Sequence, residues 1–378
     1  MSKFLFFTWN GGGNQPPEIG LAQELRDRGH EVTFAGYETQ RLRFTELGFP
    51  FRLLERSVGL WRDEPPERRM AAVTRAVWAC PEQAADVADA VDHEQCDALV
   101  IDCLMFGALA AAEQLKLPSA VLAHSGPGVL APPGGPIDRL LLDPVNDMRS
   151  TLGRAPVRSL WEPWSELPTL CVTLAELDPL SAQAPESFQY VGPIFERIPA
   201  SGWRAPWPAD DPRPLVLVSF STGRMWDQSS RIQRTLDALG SRPVRVVVTT
   251  GMADVGGMRI PENAVLVPQV PHNEILDDAS VTVTHAGHGT LAMSLAHGVP
   301  LVCLPNPGAD QQPLAAQVQA LGAGRALAGD SASSEDIAAA VDEVLADQTY
   351  SATARKLGQA IRDSQPTSTA ASLVEALR

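Results

Sequence analysis

The sequence predicts an α/β protein of two Rossmann-like, doubly wound domains facing a central cleft. Three observations predict it. Short apolar runs alternate with amphipathic stretches of helical period, the mark of a parallel sheet covered on both faces. The same opening of strand, glycine turn and helix occurs twice, near residue 4 and near residue 215. Between the copies lies a break, Pro199 to Pro214, carrying five prolines with Trp203 and Trp207. At 378 residues the chain exceeds what one compact core usually fills. The expected plan is therefore a first domain over 1–198, a linker over 199–214 and a second domain over 215–360. A C-terminal helix over 361–378 is placed to cross back to the first domain.

The first domain opens with a strand, Phe4 to Thr8, broken by Gly11-Gly12-Gly13, and Pro16-Pro17 stand where a helix starts. Ile19, Leu21, Ala22 and Leu25 recur at helical spacing, Gly29 stops that helix, and Glu31 to Ala35 reads as the next strand. Ala98 to Ile101 is a buried strand, Phe106 to Leu115 a helix, and Ser119 to Ala123 a strand closing on His124. From Gly126 to Leu170 prolines crowd the pattern and predict loop-rich surface. The second domain restarts with the strand Leu215 to Phe220, a turn at Ser221-Thr222-Gly223 and a helix from Arg231 to Leu239. Strands follow at Val244 to Thr249, Val281 to Thr284 and Leu301 to Leu304.

A formal net charge of -15 argues against a nucleic-acid partner, which needs a basic stripe to neutralise phosphates. The five cysteines are scattered and never form a CxxC pair, so neither a disulfide framework nor a zinc site is indicated, and a reducing cytoplasm is expected. No apolar run approaches the length of a membrane span, and no charged leader precedes Phe4.

The stretch Val281 to Thr290 carries the most chemistry. A strand ends at His285, glycines at Gly287 and Gly289 let the backbone approach a ligand, and Thr290 opens a helix. Backbone N–H groups at a helix N-terminus form an anion site suited to a pyrophosphate, and an imidazole N–H at the strand tip adds a donor. Gly298-Val299-Pro300 and Asp310-Gln311 follow in order. In these residues the sequence resembles the family-1, nucleotide-sugar-dependent glycosyltransferases of GT-B fold, in particular the bacterial ones that decorate natural products. The resemblance runs along nearly the whole chain. It implies that His285, Gly287, Gly289 and Thr290 hold the donor pyrophosphate, with His288 beside them, while Asp310 and Gln311 bond sugar hydroxyls. It further implies that Gln269 and Val270 read the nucleobase and that Ser221 and Thr222 form another donor loop. The donor is then a UDP- or dTDP-sugar, a co-substrate, with no separate cofactor and no metal. The plant branch carries a tryptophan where this chain has Gln269 and a glutamate where it has Met293. Asp310 also sits about one residue late in its loop.

The family's base is a histidine three residues before a proline in the first glycine turn. This chain has Asn14 there, with Pro17 three residues on. An amide cannot take a proton. The partner carboxylate of that histidine corresponds to Asp102, whose simpler reading is a helix cap. Asp102 is the first candidate base and His124, at the next strand tip, the second. Gly13, Trp61, Trp78, Met105, Phe106 and Trp161 are the candidate acceptor contacts, and they favour an apolar acceptor. The expected activity is inverting transfer of a sugar, such as a deoxysugar, to a small natural product. The alternatives are a nucleotide-sugar epimerase and a non-catalytic transferase homologue acting as a binding partner. Pairing of two copies as a homodimer is left open.

Overall fold

The computed structural model describes residues 1–57, 66–220, 228–307 and 310–377. It divides into two compact units, residues 1–196 together with 365–378, and residues 197–364.

In the first unit the chain runs β1 (Lys3–Phe7), α1 (Gln15–Asp27), β2 (Glu31–Gly36), α2 (Glu38–Glu46), β3 (Phe51–Leu53), α3 (Pro66–Val73), α4 (Gln83–Glu94), β4 (Ala98–Asp102), α5 (Phe106–Leu115) and β5 (Ser119–Ala123). It continues through α6 (Pro127–Leu130), α7 (Pro136–Thr151), α8 (Trp161–Ser165), β6 (Thr169–Cys171) and β7 (Phe188–Tyr190). The strands form one sheet in the order β3-β2-β1-β4-β5-β6-β7, and every pairing is parallel. The period-2 alternation of side chains explains why strands buried on both faces read as continuous apolar runs. Leu5, Phe7, Leu99, Ile101 and Val121 enter one core, and Phe4, Phe6, Phe34, Val100 and Leu122 enter the other.

The second unit contains β8 (Leu215–Ser219), α9 (Ser229–Leu239), β9 (Arg245–Thr249), β10 (Ala264–Val267), α10 (Asn273–Leu276), β11 (Ala279–Thr284), α11 (His288–Ala296) and β12 (Leu301–Cys303). Then come α12 (Gln311–Ala320), β13 (Gly324–Ala326), α13 (Ser334–Ala346) and α14 (Gln348–Ser364), and the chain ends with α15 (Pro366–Glu375) in the first unit. Its sheet runs β10-β9-β8-β11-β12-β13, again parallel. In both sheets the order reverses beside the first strand, between β1 and β4 and between β8 and β11. Ligands of such sheets bind beyond the carboxyl ends of the strands at that reversal.

Three expectations are corrected. The stretch 126–170 is helical over much of its length, because Pro136 starts α7 where no N–H is needed and Leu141, Val145 and Met148 pack at helical spacing. The segment 199–214 is part of the second unit: Trp203 and Trp207 pack against its core, and the Ser201 and Trp203 N–H groups donate to Glu274. The C-terminal helix expected over 361–378 is split. Gln365 turns left-handed (φ 44) before Pro366, ending α14 and starting α15. Ala370, Ala371 and Val374 of α15 then bury against α1, and Arg28 bonds Ser368, Ser372 and Glu375.

Candidate active site

In the first unit, β1 ends in a glycine turn whose shape follows from Trp9. A Cβ on Gly11 would lie 2.7 Å from the Trp9 ring, so only glycine fits, and Gly12 takes φ 87. The turn hands the chain to Asn14, whose amide is fully engaged. Its Oδ1 accepts from the Gly11 N–H (3.2 Å), and its Nδ2 donates to the Trp9 carbonyl (3.0 Å) and to Asp102 Oδ2 (2.9 Å). Trp9 Nε1 donates to Asp102 Oδ1 (3.1 Å), and so does the Leu104 N–H (2.8 Å). Three donors thus converge on one carboxylate that is 1% exposed. The chain after β4 is held by that Leu104 bond, and α5 begins only at Phe106, so Asp102 is not the cap of α5. His124, at the tip of β5, brings Nδ1 to 3.7 Å from Asp102 Oδ2 and 3.7 Å from Cys103 Sγ, with 15% of its side chain exposed.

Glu18, one turn along α1 from Asn14, is buried and bonded to the Thr8 hydroxyl. Burial first, and the nearby Asp102 second, push its carboxyl well above the usual range.

In the second unit, β11 runs into α11 through Ala286, a buried residue with φ 63. Left-handed backbone at a non-glycine residue costs on the order of 1 kcal/mol and is retained where surrounding structure demands it. Gly287, the N-cap, has no side chain to occupy the first N–H groups of α11, and a Cβ there would meet His285 Nε2 at 2.4 Å. A Cβ on Gly289 would meet nothing within 4 Å. The turn therefore presents bare backbone with the helix dipole behind it. Burial, and next the Arg231 charge, lower the His285 pKa to about 4 against a smaller opposing effect of the Ser219 backbone, and its buried Nδ1 makes no close hydrogen bond among the described residues. At neutral pH it is a neutral imidazole, a donor rather than a cation. Arg231 lies below, 2% exposed, bonded to the Leu304 carbonyl, Gln228 and Asn306 and paired with Asp330.

The remaining predicted residues divide. Gln269 is exposed and Val270 buried in the loop after β10, at the same end of the sheet as His285. Asp310 is the N-cap of α12, and Gln311 Oε1 already accepts from the Asn306 N–H (3.0 Å), which leaves its amide nitrogen for a ligand. Thr290 is half-buried in the first turn of α11, and His288 begins it. Gly13 is exposed beside Asn14. Met105 and Phe106 are corrected to core residues: neither exceeds 1% exposure, and Phe106 stacks on Trp164. Trp78 and Trp161 are buried as well, yet neither indole N–H has a hydrogen-bond partner among the described residues. Trp61, Ser221 and Thr222 lie outside the described residues. Sequence reasoning missed Trp9, Glu18 and Arg231. Glu18 and Arg231 carried a signal, a charged residue on the apolar face of a helix, whereas Trp9 carried none.

The folding pattern has counterparts among known proteins. Residues 233–376 match the family profile described as the C-terminal domain of erythromycin biosynthesis protein CIII-like proteins. An uncharacterized UDP-glucosyltransferase of Bacillus subtilis is 26% identical across 100% of this chain and 98% of its own. The 4'-demethylrebeccamycin synthase of Lentzea aerocolonigenes is 27% identical across 94% of each chain. Among solved structures, the glycotransferase of kitacinnamycin superposes with a TM-score of 0.83 at 21% identity, covering 100% of this chain and 99% of that one. The chain is a glycosyltransferase of GT-B fold. In this glycosyltransferase no helix among the described residues is long and apolar enough to cross a membrane.

Proposed function

We propose that this glycosyltransferase moves a sugar from a UDP- or dTDP-sugar to a small apolar natural-product acceptor, by direct displacement with inversion at the anomeric carbon. The carrying observation is His124: a partly exposed imidazole at a strand tip with its Nδ1 beside the buried Asp102, which three N–H donors hold in place. This reverses the order read from sequence. Asp102 is enclosed and can orient and balance charge, while His124 reaches outward and takes the acceptor's proton. With Nδ1 turned to Asp102, Nε2 is the nitrogen that receives it. Asn14 occupies the place of the family histidine as a clamp: its amide ties the glycine turn to Asp102 and so fixes the carboxylate for His124.

Donor binding is assigned to the turn from His285 to Thr290. The acceptor oxygen attacks the anomeric carbon, the bond to the diphosphate oxygen breaks, and the leaving diphosphate is stabilised by α11 N–H groups and His285. A relative named for UDP-glucose chemistry supports the donor class, and one named as a rebeccamycin-type synthase supports a natural-product acceptor. The unpartnered indole N–H groups of Trp78 and Trp161 in an apolar core support an apolar acceptor with a few polar atoms.

A panel of UDP- and dTDP-sugars with polycyclic and macrocyclic acceptors, read by mass spectrometry, tests the reaction. The anomeric configuration of the product tests inversion. His124→Asn should lower transfer by about 10²- to 10⁴-fold with unchanged affinity for the nucleotide. Transfer at the native rate in that variant would remove His124 from the base role. Interconversion of the free nucleotide sugar without an acceptor would replace transfer by epimerisation.

A further inference from the structure

Asp102, Cys103 and His124 are adjacent for a reason separate from proton transfer: each offers a different ligand type, a carboxylate oxygen, a thiol sulfur and an imidazole nitrogen. The three ligand atoms lie within 4.8 Å of one another, and they form the group among the described residues that has the spacing of a metal site. His124 Nδ1 is 3.7 Å from Cys103 Sγ and 3.7 Å from Asp102 Oδ2. In a tetrahedral zinc site, nitrogen and sulfur ligands stand about 3.5 Å apart and nitrogen and oxygen ligands about 3.4 Å apart, given the usual bond lengths. Two edges of the tetrahedron are therefore already close to length. Asp102 and Cys103 are enclosed, and the partly exposed His124 leaves one side open for entry and for a fourth, water ligand.

We propose that Asp102, Cys103 and His124 form a binding site for a borderline-soft divalent cation, zinc fitting best, on the acceptor side of the enzyme. The dication replaces the Cys103 proton, which leaves to solvent, and its two charges are balanced by one carboxylate and one thiolate. Burial, and then Asp102, hold the Cys103 thiol well above its ordinary pKa, while the His124 backbone acts in the opposite sense. The ion removes that obstacle by its own charge. Its consequence for catalysis rests on the reading of His124 as base: an ion on Nδ1 breaks the approach to Asp102, and transfer stops.

The test uses metal-stripped enzyme titrated with Co²⁺, then with Zn²⁺. Expected are one equivalent of Co²⁺ with a thiolate-to-cobalt charge-transfer band, displacement of that band by Zn²⁺, and inhibition of transfer that a chelator reverses. Cys103→Ala should transfer sugar at the native basal rate, lose the band, and need at least about tenfold more Zn²⁺ for inhibition. Cys103→Ser guards against a packing defect in the alanine variant. A wild-type enzyme without the band at saturating Co²⁺, or a band that survives in Cys103→Ala, overturns the site. A band with unimpaired transfer supports the site and overturns the base reading instead.

Discussion

Replacing Asp102 by asparagine separates two roles whose sizes follow from the structure. At 3.7 Å from His124 Nδ1, a full negative charge stabilises the imidazolium that forms as the proton arrives by about 4.5 kcal/mol at an effective dielectric of 20. Three N–H donors already share that charge, so roughly half of it, about 2 to 3 kcal/mol, remains for the imidazolium. The expected loss in kcat is therefore about a hundredfold. The same substitution has a structural cost. The new amide puts a donor against either Asn14 Nδ2 or the pair from Trp9 and Leu104. Asn14 cannot flip to compensate, because the Gly11 N–H and the Trp9 carbonyl hold both ends of its amide. One unsatisfied buried donor costs about 1–3 kcal/mol, which lowers Tm by roughly 5 °C. Steady-state kinetics with saturating donor, calorimetry with dTDP or UDP, and a thermal melt measure the three quantities. Nucleotide affinity should not move. If Tm falls while kcat stays at the native value, Asp102 is a clamp for the glycine turn and the electrostatic argument is refuted.

At the donor turn, His285→Ala should weaken UDP or dTDP binding by about 1.5–3 kcal/mol, since a buried donor to a charged oxygen is lost; unchanged calorimetric affinity for both nucleotides would move the pyrophosphate elsewhere. Gly289→Ala meets no atom in the folded chain, so its Tm should hold while nucleotide affinity drops about tenfold; equal affinity would show that no ligand approaches there. The pH dependence of stability should differ between the units. His272, by burial, and His285, by burial and then Arg231, both have pKa values lowered to about 4, so the folded second unit binds fewer protons than the unfolded chain between pH 6.5 and about 4. It should lose stability as pH falls through that window, and His272→Gln should flatten the slope in urea titrations. Glu18 acts with the opposite sign, because its raised pKa makes the folded first unit bind the extra proton; stability there declines as pH rises above the usual carboxylate range, and Glu18→Gln should remove the decline.

Much of this molecule could be read from its residues in order. The glycine turns, the apolar strands and the run His285-Ala-Gly287-His288-Gly289-Thr290 are local signals: each depends on backbone freedom or on periodicity within a few residues. For that reason the glycine turn leading to Asn14 and the strand ends at Asp102, His124 and His285 are legible in the sequence. Helix α7 was hidden because its prolines read as breakers, although Pro136 at a first helical position lacks only an N–H that would be unbonded anyway, and Pro144 is accommodated inside the helix. The pocket aromatics failed for a different reason. Burial is a property of neighbours, and nothing next to Met105 or Phe106 in the chain says that Trp164 will close over them.

The sequence by itself determined that the chain winds two parallel sheets, ends β1 in a glycine turn, and carries Asn14 where the family it resembles carries a histidine. Only the tertiary structure decided which polar group beside Asn14 is enclosed and which is partly exposed. Which of Asp102 and His124 faces outward depends on contacts separated by many residues: Trp9 to Asp102 spans 93 positions and Asn14 to Asp102 spans 88. Those bonds enclose the carboxylate and leave the imidazole beside it partly exposed. Hydrogen-bond satisfaction is settled by the register β1 shares with β4 and β4 with β5, and no local pattern in the sequence encodes it.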